Sequence, residues 1–119
     1  MADNHFEAKV RRQSGAVVID LIGEINSFAE EALNGAYAEG NSGKPESILL
    51  NFSRVDYINS TGIALIVGLL AQARKSGRRL LTCGLSDHYV EIFKITRLSD
   101  FMSMYADEVS ALGGVKSET

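Results

Sequence analysis

The sequence has few of the residues that mark several classes of protein. Among its 119 residues there is one cysteine, Cys83, and one proline, and there is no tryptophan. A single cysteine excludes a framework of intramolecular disulfides and a multi-cysteine metal site. With eleven glycines beside the one proline, the chain is also far from collagen-like or low-complexity composition. An ordinary globular domain remains.

Excess positive charge and long apolar runs are missing as well. The 12 basic and 15 acidic residues leave a net charge of −3, which disfavours general nucleic-acid binding. The most apolar run, 62–71, stops at Gln72, whereas a membrane-spanning helix needs about 20 residues. The first residues lack the basic start and apolar stretch of a secretion signal. We therefore expect a cytoplasmic protein without membrane insertion.

The alternation of strand and helix patterns predicts one α/β domain. We expect a mixed, mostly parallel sheet with an N-terminal antiparallel hairpin and about four helices, because strands and helices alternate in the second half. The hairpin turn is predicted at Ser14-Gly15, a loop at 53–58, and a frayed tail at 113–119, around a core of about 6–112. Strands are predicted over 6–12, 16–22, 47–52, 79–83 and 100–105, and helices over 26–39, 59–75, 87–95 and 107–112.

The helix after Asn59 is apolar on all sides. Its residues Ile63, Ile66, Val67 and Leu70 have the spacing of one sheet-facing stripe. The opposite side carries Ala64, Leu65, Gly68 and Leu69 rather than charges. This second face is either a surface that another protein approaches closely or a surface buried under the final helix and nearby loops.

Sequence motifs for catalysis are missing. The chain has no Gly-rich phosphate loop and no Gly-x-Ser-x-Gly elbow, so we expect no enzyme activity, no cofactor and no metal site. Cys83 ends a buried strand and reads as an inert core thiol. Four basic residues lie close together at the predicted end of the long helix: Arg74, Lys75, Arg78 and Arg79. They either bind phosphate or an acidic partner, or only complement the dipole of the helix C-terminus.

Hydroxyl residues lie at the start of the same long helix. Asn59, Ser60 and Thr61 are each suited to cap it. A hydroxyl at such a corner is also accessible to a kinase, and a phosphate there adds about −1.5 to −2 charge to the surface of the helix.

Segments Ser47–Ile63 and Gly23–Asn26 carry a family resemblance. The first resembles the strand, loop and Asp-Ser-Ser/Thr-Gly-Leu helix start of the STAS domain, in particular of stand-alone bacterial anti-sigma-factor antagonists. The second is similar to the Gly-x-Leu/Ile-Asp loop of that family. Gly77–Cys83 and Ile95–Leu98 fit the remainder, so the resemblance covers about residues 6–112.

This resemblance implies a partner-switching regulator. In that family the unphosphorylated antagonist binds a serine-kinase anti-sigma factor, phosphorylation of the motif serine breaks the complex, and a PPM-type (PP2C-like) phosphatase restores it. The matching serine here is Ser60, with Thr61 as the alternative acceptor. The resemblance also implies a monomer or weak dimer when free. Residues expected to contact the partner are Asn26, Asn59, Thr61, Gly62, Ala64, Leu65 and Gly68.

Two positions depart from the family pattern. Asn59 and Asn26 stand where the family has aspartates, so two negative charges beside the hydroxyl are missing. Two other functions compete with partner switching: a STAS subunit of a membrane transporter or signalling scaffold that is not phosphorylated, and a nucleotide-binding or weakly hydrolytic domain.

Overall fold

The strands of the protein form one sheet in which the spatial order follows the chain. The computed structural model describes residues 6–13 and 15–116, and within them β1 pairs with β2 antiparallel while the other neighbours are parallel. This confirms the predicted mixed sheet and its opening hairpin, although Ser14 of the predicted turn lies outside the described residues. The strands are β1 (Phe6–Gln13), β2 (Ala16–Ile25), β3 (Ser47–Ile58), β4 (Arg79–Cys83) and β5 (Ser103–Tyr105).

Four helices connect or follow the later strands, in the predicted order. Short 3-10 turns, Ser27–Ala29 and Leu98–Asp100, precede α1 and β5. Gly77 ends α2 in the left-handed conformation, at φ 76°, as expected for a helix C-cap glycine. The helices are α1 (Glu30–Asn41), α2 (Ser60–Ser76), α3 (Asp87–Ile95) and α4 (Glu108–Lys116).

Several predicted boundaries are wrong. β2 runs on to Ile25 and β3 to Ile58, where we predicted an exit from the sheet and a loop at 53–58. The two extensions pair with each other in parallel, so each supplies the hydrogen bonds that the other needs. β5 is shorter than the predicted strand over 100–105. α4 continues to Lys116, through the start of the predicted frayed tail, whose residues 117–119 lie outside the described part.

The sheet is covered on both faces, by unequal layers. Ile19, Ile48 and Leu50 belong to the main core with α1, α2 and α3. Their neighbours in sequence, including Val18 and Leu49, face the other way because side chains alternate along a strand. There they form a smaller core under α4, together with Leu81, Cys83 and Ala111. Over residues 6–13 and 15–116 the sheet therefore has helices on both sides, with only α4 on the second.

A charged network attaches α4 to the first two strands. Arg11 on β1 contacts Asp20 on β2 at 2.6 Å and Glu108 at the start of α4 at 2.6 Å. Asn51 also donates a hydrogen bond to Glu108, at 3.3 Å. These contacts hold the start of α4 over β1, β2 and β3.

Candidate functional site

The ends of β2 and β3 bring the two predicted segments of the site together. Ile25 and Ile58 are paired in the parallel register, so Asn26 and Asn59, the next residues, leave the sheet at the same edge. The backbone N–H of Asn59 donates to the carbonyl oxygen of Ile25 at 3.2 Å. The structure thus joins Gly23–Asn26 to the start of α2.

Both asparagines act as caps. The Asn59 side-chain oxygen accepts a hydrogen bond from the N–H of Gly62 at 2.8 Å, at the N-terminus of α2. The Asn26 oxygen accepts one from the N–H of Phe28 at 2.9 Å. Asparagine and aspartate cap about equally well, so the difference from the family pattern lies in charge and leaves the caps in place.

Gly62 allows the helix to start against the end of β2. A Cβ atom at this position would lie 2.1 Å from the carbonyl oxygen of Ile25 and 2.8 Å from the Ile58 side chain. Neither neighbour can yield that much, since one is backbone and the other is buried at 4% exposure. A side chain here would therefore push α2 away from the sheet.

Ser60 is the first residue of α2, and Asn59, one residue earlier, is its N-cap. Ser60 and Thr61 are both exposed. Because Asn59 makes the cap, the Ser60 hydroxyl is not needed for it, and it makes no hydrogen bond with the described residues. The hydroxyl stands at the positive end of the helix dipole, which stabilises a nearby anion by about 0.3–1 kcal/mol. The geometry can accept a phosphate without losing a structural contact.

Two residues of this site were not found from the sequence. Glu24 is half-buried and accepts a hydrogen bond from the Asn26 side-chain nitrogen at 3.2 Å, so a carboxylate is present even without the family aspartates. Tyr89 on α3 accepts from the N–H of Ile58 at 2.8 Å, and its hydroxyl is 3.3 Å from the Ile58 carbonyl oxygen. Glu24 was within the matched motif, but the contact of Tyr89 depends on tertiary structure alone.

The outer face of α2 differs in part from the prediction. Ala64 and Gly68 are exposed and Leu65 is half-buried, but Leu69 is fully buried. Val67, assigned to the sheet-facing stripe, is instead 43% exposed. The buried stripe consists of Gly62, Ile66, Leu69, Leu70 and Ala73. The exposed face therefore carries Ala64, Val67 and Gly68, beginning one turn from Ser60.

The described residues hold no group of three or more histidine, cysteine and acidic side chains that would bind a metal. Over the same residues, every helix is too short or too polar to cross a bilayer. Cys83 is 1% exposed, and burial together with the nearby acidic Glu108 raises the pKa of its thiol to about 11. Its position agrees with the predicted core thiol.

Comparison with known proteins gives a family match over most of the chain. The sequence model of the STAS domain matches residues 7–111. The anti-sigma-B factor antagonist of Staphylococcus aureus (strain NCTC 8325 / PS 47) is 31% identical over 100 residues, which cover 84% of this chain and 82% of that protein.

Solved structures share the fold. The unphosphorylated form of the anti-sigma factor antagonist SpoIIAA is 23% identical, with a TM-score of 0.71 over 94% of this chain and 98% of that one. SpoIIAA of Bacillus in its phosphorylated form is 24% identical, with a TM-score of 0.71 over 91% of this chain and 98% of that one.

Proposed function

Because the chain belongs to the STAS domain family, we propose that it is an anti-sigma-factor antagonist that works by partner switching. In the unphosphorylated form it binds an anti-sigma factor that is also a serine kinase. Phosphorylation of Ser60 releases it, and a PPM-type phosphatase returns it to the binding form. These exchanges take place in the cytoplasm, and the protein acts as a regulator rather than as an enzyme.

The observation that carries the proposal is that Asn59 and Ser60 have different roles at the start of α2. Asn59 caps the helix through Gly62, which leaves the exposed Ser60 hydroxyl without a structural task among the described residues. Thr61 is exposed beside it and is the alternative acceptor. The helix dipole favours the phosphorylated form, so the fold should keep its melting temperature after modification.

The outer face of α2 supports a docking surface next to the hydroxyl. Ala64 and Gly68 have almost no side chain, and Val67 between them is 43% exposed. Small residues let a partner helix or loop approach the backbone closely, and no neighbouring atom of the described residues lies within 4 Å of the Gly68 Cβ position. A phosphate on Ser60 would lie at the edge of this face, where the nucleotide phosphates and the acidic metal site of the kinase would repel it.

The charge at Ser60 sets the size of the switch. Like charges brought together in an interface cost several kcal/mol, and about 1.4 kcal/mol corresponds to tenfold in affinity. The phosphorylated protein should therefore bind the kinase at least about a hundredfold more weakly. Ser60→Ala should bind like the unphosphorylated protein, and Ser60→Asp should bind weakly. Thr61→Ala keeps the Ser60 acceptor, so phosphorylation should still weaken its binding.

Titration calorimetry of these forms against the serine-kinase anti-sigma factor measures the switch. Peptide mass spectrometry after incubation with the kinase and ATP should find the phosphate on Ser60. Phosphate on Thr61 alone would overturn the assignment of the acceptor. Equal affinities of the phosphorylated and unphosphorylated forms would remove the switching mechanism. A lack of both binding and phosphorylation would favour the transporter or scaffold subunit instead.

A further inference from the structure

A cavity of about 350 Å3 opens beside the C-terminal end of α2. Its walls come from the last turns of α2, the start of β4 and the segment that leads into β5. Arg74, at this end, is fourteen residues after Ser60 on the same helix, which corresponds to about 21 Å at 1.5 Å per residue. The cavity is thus separate from the proposed phosphorylation site.

Arg74 and Arg78 give the cavity walls positive charge, and the side chains that contact them are neutral. The Arg74 guanidinium lies 4.9 Å from the centre of the Phe101 ring, and the Arg78 Nε donates to the amide oxygen of Asn41 at 2.7 Å. Both partners are uncharged. The single carboxylate among the lining residues, Asp100, is held at 2.6 Å by Arg97, which lies outside this cavity.

The same cavity has an apolar floor and polar donors. Leu70, Leu80 and Met102 line it and are at most 6% exposed. Ser99 and Ser103 add hydroxyl groups.

Beyond Phe101, whose ring is 53% exposed, a second cavity of about 350 Å3 adjoins the first. It shares Leu70, Arg74 and Phe101, and it adds the apolar side chains of Val67, Ala71 and Leu98. The guanidinium groups of the first cavity therefore lie beside the mostly apolar lining of the second, to which Thr96 and Arg97 also belong.

We propose that this cavity binds the phosphate monoester of a small organic molecule. The phosphate group would lie between Arg74 and Arg78, whose planar guanidinium groups donate paired hydrogen bonds to phosphate oxygens. The hydroxyls of Ser99 and Ser103 supply further donors, and the organic body lies against Phe101 and the adjoining apolar surface. Cavities of this volume are the size that small ligands occupy.

Phenyl phosphate is a suitable probe because it combines the two chemical features. Titrated into the 15N-labelled full chain, it should shift the amide signals of residues that line the cavity, with saturation. Arg74→Gln and Arg78→Gln should each weaken binding by about tenfold, since each removes a charge-assisted contact. Lys75→Gln is the matched control: it removes the same charge from the same turn of α2, outside the lining residues, and should leave the affinity unchanged.

Two further ligands separate the phosphate and the organic part. Inorganic phosphate should bind at least about tenfold more weakly than phenyl phosphate, and phenol should cause no saturable shift. Equal affinity for the two phosphates would overturn the proposal, because the apolar surface would then contribute nothing. Equal weakening by Lys75→Gln, or shifts that never saturate, would also overturn it and leave the arginines with the stabilisation of the helix end alone.

Discussion

Gly62 is the residue at which the start of α2 touches the end of β2. A methyl group there would lie 2.1 Å from the Ile25 carbonyl oxygen, in a contact between two backbones that have no rotamer to change. The same backbone contact sets the position of Ser60, two residues earlier. The geometry of the proposed acceptor therefore depends on a residue without a side chain.

We expect Gly62→Ala to lower the free energy of unfolding by about 1–3 kcal/mol or more, the usual cost of forcing atoms into a packed site. Gly68→Ala is the control on the same helix. Its Cβ position is open, so the better helix propensity of alanine should raise stability by up to about 1 kcal/mol. Urea unfolding of both variants measures the difference. Equal stabilities for the two variants would contradict the contact described at Gly62.

At the residue scale the sequence predicted where α2 starts but could not assign the individual roles of its first residues. Asn59, Ser60 and Thr61 are all good N-cap residues, so composition alone does not choose among them. The choice is made by the hydrogen bond from the Asn59 N–H to Ile25, a contact across 34 residues of chain that no local pattern contains. Glu24 also lies at the site because of a long-range contact, the pairing of β2 with β3.

Among the elements, α2 shows most clearly where prediction from sequence stops. A helix that is apolar all round offers no polar side to indicate solvent, so the sheet-facing stripe could be placed only by spacing. Leu69 is buried and Val67 is 43% exposed, the reverse of the predicted assignment. Gly62 must face β2, and this contact determines which side of the whole helix faces the sheet.

The exposed face of α2 gives a prediction about binding. Gly68→Arg should abolish binding to the serine-kinase anti-sigma factor. It should leave the melting temperature within a few degrees of the wild type, because among the described residues no neighbour lies within 4 Å of the Gly68 Cβ position. Gly35→Arg, on α1, makes the same change at another exposed and open helix position, and it should bind normally. Circular dichroism and titration calorimetry of the two variants test this.

A Gly68→Arg protein that fails to fold would show that this face of α2 is internal. A folded Gly68→Arg protein that binds as well as Gly35→Arg would remove α2 from the docking surface while leaving the role of Ser60 intact. Both outcomes would contradict the proposed docking surface, and neither would contradict the proposed switch at Ser60.

For the whole molecule, the unequal covering of the sheet is the main feature. In the described part of the chain, three helices cover one face and α4 alone covers the other, held by the Arg11–Glu108 ion pair. Cys83 lies in the smaller core beneath α4. The nearly continuous apolar run at 47–52 predicts a strand buried on both faces. The ion pair that holds α4 joins residues 97 positions apart, so no local segment could predict it.

The buried position of Cys83 makes the free energy of unfolding depend on pH in the alkaline range. Burial raises the pKa of its thiol from 9.0 to about 11, so the unfolded chain releases this proton first. The contribution of the thiol to the free energy of unfolding is therefore fully present below pH 9. It decreases by at most about 3 kcal/mol as the pH rises to about 11. The difference in unfolding free energy between the wild type and Cys83→Ala should decrease over this range. A constant difference would contradict the burial of the thiol.

β3 has β4 as a neighbour only as far as Asn51, and its remaining residues rely on β2 and on the Tyr89 hydroxyl at Ile58. We expect this outer part of the strand to open before the central sheet does, because local openings cost less than global unfolding. Its amide hydrogens should therefore exchange with deuterium sooner than those of Ile48 and Leu50. A protein bound at this end of the molecule would slow that exchange first, while the central amides continued to report global unfolding.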